Sequence, residues 1–211
     1  MPGAGPDPRP SLVFIVDEDE AVRQTLTSLL GQEGRQAIAF GSGQEFLAAE
    51  RPPQPACLVT EARLPDKDGL ELQYALSDRG DPIPIIFIAR DGDVRTSVRA
   101  MKAGAIDFLT KPVDEPELLA AVRLALQRDE VQRRERERLG ELRRRIASLS
   151  PREREVMRRV VRGVLNKKIA IELGIAEITV KVHRRHMMDK MGAQSLAHLV
   201  RMVDRAEPEP D

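Results

Sequence analysis

LVTEARLPDKDG, Leu58 to Gly69, is the stretch on which the fold turns. It opens as a short apolar run, closes in a loop with a glycine stop, and carries Glu61 at the junction. Ala56–Thr60 is one of five such runs; the others are Leu12–Val16, Ala37–Phe40, Ile83–Ala89 and Ala105–Leu109. Each is continuous rather than alternating, the pattern of a strand buried on both faces. Amphipathic stretches separate them: Glu20–Gln32, Leu70–Ser77 and Val94–Ala103. A short helix is expected after the S-x-x-E capping box of Ser42 and Glu45, and a last one after Asp114, with Glu117 at the box position. Strands alternating with helices predict a doubly wound α/β domain, (βα)5 with a parallel sheet, over residues 11–127. In such sheets the working crevice lies at the carboxyl ends of the strands, where Glu61 stands.

Composition narrows the class. Lys and Arg number 34 and so do Asp and Glu, which argues against a globally basic nucleic-acid coat but not against a local basic module. The one cysteine, Cys57, allows no internal disulfide and suits a reducing, cytoplasmic setting. No apolar run approaches the roughly 20 residues of a membrane span. The opening residues MPGAGPDPRP lack the apolar core of a signal peptide and are expected to form a disordered tail, 1–10.

The second part of the chain reads differently. Residues 128–147 form a charge-dense helical linker without proline. Its Leu139, Leu142, Ile146 and Leu149 follow a three-four-three spacing; this suits a short coiled-coil seam, while a solvated linker helix fits as well. From residue 148 to 206 no strand is expected. Ser150-Pro151-Arg152-Glu153 is a capping box with Pro at the first helical position. Gly163 stops that helix, Asn166 is expected to cap a short helix to Leu173, Gly174 stops that one, Glu177–Met191 is a third, and Ser195 caps a fourth. Two helices around a glycine turn in an all-α unit read as a helix-turn-helix. Basic residues are concentrated there, and acids return in the tail 207–211, EPEPD.

Asp17 and Glu18 follow the first strand, Glu61 ends the third, Ala89 ends the fourth and Lys111 follows the fifth. One sheet edge therefore gathers three carboxylates and an ammonium. Hard oxygen ligands at Asp17, Glu18 and Glu61 suit Mg²⁺ and a phosphoryl site, or the remnant of one. The plainer alternative is that Asp17 caps a helix and Glu61 pairs with Lys111.

FIVDEDE, LVTEARLPDKDG and MKAGAIDFLTKP resemble the receiver domain of bacterial two-component response regulators. The segment from Leu149 to Met191 resembles the LuxR-type helix-turn-helix, and the order of the two is similar to the FixJ/NarL class. That resemblance implies a phosphorelay transcriptional regulator rather than an enzyme, with double-stranded DNA and a sensor histidine kinase as partners. It gives Asp17 and Glu18 the role of a Mg²⁺-holding acidic pair, Lys111 that of the phosphoryl-contacting lysine before a Pro112 whose bond is often cis, and Phe108 that of an aromatic switch. Two positions depart from the pattern. Glu61 stands at the phosphoacceptor aspartate and Ala89 at the hydroxyl residue that grips the phosphoryl group. A receiver working independently of phosphorylation is the expectation; a receiver that still accepts a phosphoryl group, or that binds a ligand or partner protein, remains the alternative.

In the second domain Val180, His183, Met187 and Met191 share one helical face and should pack inward. Lys181, Val182, Arg184, Arg185 and Met188 fall on the other, which the resemblance makes the DNA-recognition helix. Lys167, Lys168, Thr179, Lys181, Val182, Arg184 and Arg185 are the candidate DNA contacts, with a solvated basic face as the rival reading. Ala176 replaces the Ser or Thr cap usual in the family, at a cost of about 0.5–2 kcal/mol, part of which Glu177 offsets through the helix dipole. A homodimer on two half-sites is expected.

Overall fold

The structure is a computed structural model that describes residues 11–65, 68–80, 82–90 and 94–206. The expected tails, 1–10 and 207–211, lie outside the described residues. The chain forms two compact units, Met1–Arg133 and Arg134–Asp211.

The first unit is a five-stranded parallel sheet in the order β2-β1-β3-β4-β5. Its strands are β1 Leu12–Val16, β2 Gln36–Phe40, β3 Ala56–Glu61, β4 Ile85–Ala89 and β5 Asp107–Thr110. Residues of opposite parity feed two cores. Phe14, Leu58 and Phe87 face a layer built with Phe46, Leu70, Leu72, Leu76 and Ala100 of α2 (Gly43–Ala48), α3 (Gly69–Asp78) and α4 (Val94–Lys102). Ile15, Val59 and Ile88 face Leu26 and Leu30 of α1 (Glu20–Gln32) and Leu118, Val122 and Ala125 of α5 (Glu115–Ala147). Burial on both sides explains why the central strands read as unbroken apolar runs. Strand β4 begins two residues later than its apolar run, because Pro84 has no N–H to give to the ladder; its carbonyl instead accepts from Leu58 N–H at 2.9 Å.

Gly69 shows why the quoted stretch ends as it does. A Cβ there would sit 2.9 Å from both the Glu61 carbonyl oxygen and the Phe87 ring. Only glycine lets α3 start this close to the end of β3.

Capping differs in detail from expectation. Ser42 accepts from Glu45 N–H at 3.2 Å, but the Glu45 carboxylate takes Gly41 N–H rather than Ser42 N–H. The box is thus displaced by one residue. Asp114 accepts from Glu117 N–H at 3.0 Å.

Helix α5 runs unbroken for 33 residues across the expected end of the first domain. Asp129 on it is fully buried, accepts from Ala56 N–H at 2.8 Å, and pairs with Arg133. That carboxylate satisfies the first donor of β3 and holds the helix to the sheet.

The second unit contains the end of α5 with α6 (Pro151–Val161), α7 (Asn166–Leu173), α8 (Glu177–Met191) and α9 (Leu196–Ala206). Leu142, Ile146 and Leu149 are buried in its core beside Val156, Val160, Ile169, Val180, Met187 and Leu199. Three of the four stripe residues therefore belong to this core, while Leu139 is half-buried and lies outside it. The Ser150–Glu153 box forms in both directions. Gly174, at φ 64°, supplies the left-handed residue of the α7–α8 turn. Asn166 is not the cap of α7: Leu165 is, without a side-chain bond, and the Asn166 amide is engaged by Arg184.

Two expectations follow. Ile146→Ala should cost the second unit about 2–5 kcal/mol in denaturant unfolding, whereas a solvated linker position would show almost no change. Glu153 is buried under Lys190 at 2.7 Å. The Lys190 ammonium, opposed by burial and aided by Ser150 N–H, holds its carboxyl down at about 2 from an ordinary 4.5. A depressed carboxyl stabilises the fold above its unfolded value and loses that contribution as pH falls through the folded one. The stability gap between the natural protein and Glu153→Gln should therefore be full above pH 4.5 and vanish towards about 2.

Candidate functional site

The sheet order reverses between β1 and β3, and a crevice is expected at that switch point. Asp17 follows β1 and Glu61 ends β3, so the two carboxylates flank it. Lys111 follows β5, with its N–H on the Ala89 carbonyl at 2.8 Å and a cis bond to Pro112. Its ammonium donates to Asp17 Oδ2 at 2.8 Å and to Glu61 Oε2. All three side chains are largely shielded, at 2% for Asp17, 7% for Glu61 and 15% for Lys111. Burial pushes the Glu61 carboxyl above its usual range against the pull of Lys111. For Lys111 burial opposes the charge, but the bonds to Asp17 and Glu61 together outweigh it and raise the ammonium's pKa. The second expectation for Glu61, pairing with Lys111, is thus what the structure shows.

The other Asp17 oxygen accepts from Asp19 N–H at 2.9 Å. Glu18 is exposed, and the Arg23 guanidinium binds the carbonyls of Asp17 and Glu18 at 2.7 and 2.9 Å. Three of the four carboxylate oxygens on Asp17 and Glu61 already accept a donor: Asp17 Oδ1 from Asp19 N–H, and Asp17 Oδ2 and Glu61 Oε2 from Lys111. Among the described residues no group of three His, Cys, Asp or Glu side chains converges on a metal position. A Mg²⁺ ion at Asp17, Glu18 and Glu61 would have to share Asp17 and Glu61 with the donors they already hold.

A cavity of about 200 Å³ opens beside the cluster, lined by Glu18, Glu61, Arg63, Ala89, Arg90 and Phe108 among others. Ala89 contributes only a methyl group. Phe108 is half-buried and packs on Phe87, ring centroids 6.2 Å apart. Arg23, Arg63 and Arg90 were not singled out by sequence reasoning. Arg63 lies two residues past Glu61 and Arg90 one past Ala89, so adjacency to strand ends was the signal available.

In the second unit α8 turns Val180, Met187 and Met191 into the core, with His183 half-buried on the same side. Met188 packs against that core rather than facing solvent. Lys167, Lys168, Lys181, Val182 and Arg185 are exposed, and Thr179 is half-buried. The cations are not equivalent. Lys181 pairs with Glu177 at 3.1 Å, and Arg184 donates to Asn166 Oδ1 at 3.0 Å, tying α8 to the start of α7. Arg185 makes no hydrogen bond or ion pair among the described residues. Arg145 closes the other end of α8 by donating to the Met191 carbonyl at 2.9 Å.

Comparison with known proteins assigns each unit to a family. Residues 13–123 match the response regulator receiver domain, and residues 147–203 match bacterial regulatory proteins of the luxR family. The chain is 46% identical over 194 residues to nodulation protein W of Bradyrhizobium diazoefficiens, covering 92% of this chain and 86% of that one. It is 44% identical over 191 residues to the transcriptional regulatory protein FixJ of Azorhizobium caulinodans, covering 90% of each. The solved structure of the response regulator StyR superimposes with a TM-score of 0.83 at 46% identity, over 92% of this chain and 98% of that one. The chain belongs to the two-component response regulators that join a receiver to a LuxR-type DNA-binding domain. It is a DNA-binding transcriptional regulator by family. Among the described residues no helix is long and apolar enough to cross a membrane.

The charge cluster makes a testable demand. Lys111→Met leaves two shielded carboxylates without their cation and should cost the first unit about 3–5 kcal/mol at neutral pH. The deficit should shrink on acidification, as a proton replaces the lost charge; a pH-independent deficit would mean that only packing was lost.

Proposed function

We propose that this regulator does not use receiver phosphorylation as its switch. The observation that carries the reading is the Lys111 ammonium shared between Asp17 and Glu61. A glutamate places its carboxylate about 1.5 Å further out than an aspartate and here delivers it to the lysine. The lysine that would otherwise meet a phosphoryl group is then already engaged, and with both carboxylates ionised the trio keeps one net negative charge. Mimicry of the phosphorylated state is incomplete, because a carboxylate brings one charge and two acceptor oxygens where phosphate brings nearly two and three. Ala89 offers no hydroxyl to be drawn inward, so the coupling to Phe108 lacks its first link. Control then falls to expression level, a partner or a ligand, and the cavity beside Arg63 and Arg90 favours a small ligand or a docking side chain there.

The output is DNA binding through α8, with Lys181, Val182 and Arg185 towards the bases and Lys167, Lys168 and Thr179 towards the backbone. Arg184 is a positioning residue, since its guanidinium is held by Asn166. The active form is a homodimer on paired half-sites in the bacterial cytoplasm, and a sensor kinase is not required for it.

Incubation with acetyl phosphate and Mg²⁺ should give no phosphoryl adduct by intact mass. Glu61→Asp should restore acceptance without a DNA-binding response, and Glu61→Asp with Ala89→Thr should restore both. A stable adduct on the natural protein would sink the proposal. Arg185→Ala and Lys181→Ala should each weaken specific binding by about 1–3 kcal/mol if they touch base edges. If both leave binding unchanged, α8 is not the reading element.

A further inference from the structure

A cleft of about 300 Å³ opens between the last turns of α5 and helix α9. Leu142 and Met202, both buried, supply its apolar lining. Arg138, Glu141 and Arg145 line it from α5, and His198, Arg201 and Arg205 from α9. The three-or-four-residue spacing puts each set on one helical face. Four guanidinium groups thus gather around one carboxylate, and that carboxylate is taken. Glu141 accepts from Arg145 Nε at 2.9 Å and pairs with Arg144 at 3.1 Å. Glu135, outside the lining, pairs with Arg205 at 3.0 Å. The other acids on these stretches, Glu137 and Asp204, stand about 100° and about 60° round their helices from Arg138 and Arg201. Neither lines the cleft or forms an ion pair with those arginines among the described residues.

Arg138 and Arg201, one on each wall, make no hydrogen bond or ion pair among the described residues. His198 adds a third donor. Its Nδ1 accepts from Gln194 N–H at 3.3 Å, so the ring proton is assigned to Nε2. A guanidinium fork is planar and meets phosphate oxygens two at a time. A carboxylate has two oxygens and is satisfied by one fork. Two forks from opposite walls, with an imidazole N–H beside them, call for three acceptor oxygens and a charge near two, which a terminal phosphate group carries. The apolar lining leaves a place for the organic part of an ester, and the volume is at the small end for ligand sites. We propose that the cleft between α5 and α9 binds a small phosphate monoester, with Arg138, Arg201 and His198 on its terminal phosphate group. The site uses no residue of the Asp17–Glu61–Lys111 cluster and none of the outer face of α8, so it stands whether or not the readings proposed above hold.

The test is calorimetric titration of the full-length chain, without Mg²⁺, with ribose 5-phosphate, inorganic phosphate and dimethyl phosphate. Ribose 5-phosphate should bind at one site per chain, inorganic phosphate more weakly, and dimethyl phosphate, a singly charged diester, not at all. Arg138→Gln and Arg201→Gln should each weaken ribose 5-phosphate about tenfold or more, the worth of a charged hydrogen-bonding partner. Arg138→Lys, which keeps the charge and loses the fork, should fall between, and Arg185→Gln should change nothing. Both arginines are exposed and unpaired, so the variants are expected to melt like the natural protein. Their affinity for the duplex that the full-length chain selects from a randomised pool should be unchanged, as should its salt dependence. Failure of both ribose 5-phosphate and inorganic phosphate to bind overturns the proposal, as does equal binding of monoester and diester. So does binding that survives in both glutamine variants, which is the general response of a basic surface. A shallower salt dependence of DNA binding in Arg138→Gln or Arg201→Gln overturns it as well, since the cleft would then meet the DNA backbone.

Discussion

One ammonium between two shielded carboxylates organises the first unit. Asp17, Glu61 and Lys111 come from the ends of three strands, and the parallel order β2-β1-β3-β4-β5 is what brings those ends to one edge. Neither carboxylate is sustainable alone at that depth, because an unpaired buried charge costs several kcal/mol. Lys111 resolves the conflict by reaching both. The same demand sets the local sequence: β3 must end in the acid, the chain must turn at once, and Gly69 must leave space against the Glu61 carbonyl. In this chain the three groups form an ion-pair cluster.

Much of this was legible from the residues. For β1, β3 and β4 burial on both faces leaves no polar alternation to confuse the apolar runs, whereas the edge strands β2 and β5 are only partly buried. Asp17, Glu61 and Lys111 were placed at one edge because each lies at or just past the carboxyl end of a strand in a parallel sheet. Their pairing was one of two open readings, since spacing cannot say whether a lysine points at a carboxylate or leaves room for a metal. The helical unit was similarly clear from its glycines and from the Ser150 box. What stayed hidden depended on partners distant in sequence. The continuity of α5 could not be read, because the buried bond from Asp129 to Ala56 N–H joins residues 73 apart. The same holds for Asn166, which looks like a cap until Arg184 on another helix claims its amide. Leu142, Ile146 and Leu149 have the spacing of a seam, and spacing alone does not distinguish a neighbouring chain from the chain's own core.

The balance of charge across the whole chain conceals a division of labour. In the second unit most cations on or near α8 are committed: Lys190 to Glu153, Arg184 to Asn166, Arg145 to the end of the helix. They fix how the helix is held. On its outer face Lys181 pairs with Glu177 one turn away, and Arg185 makes no hydrogen bond or ion pair among the described residues. The residues that hold α8 in place are thus distinct from those exposed on its outer face.

The central claim is that charge at the receiver edge is permanent and that DNA binding does not wait on a phosphoryl donor. The most direct measurement is the affinity of the full-length protein for its selected duplex, titrated before and after exposure to acetyl phosphate with Mg²⁺. The expected result is one binding curve, the same in both conditions. A tighter curve after exposure, rising in step with the fraction of protein carrying a phosphoryl group, would contradict it.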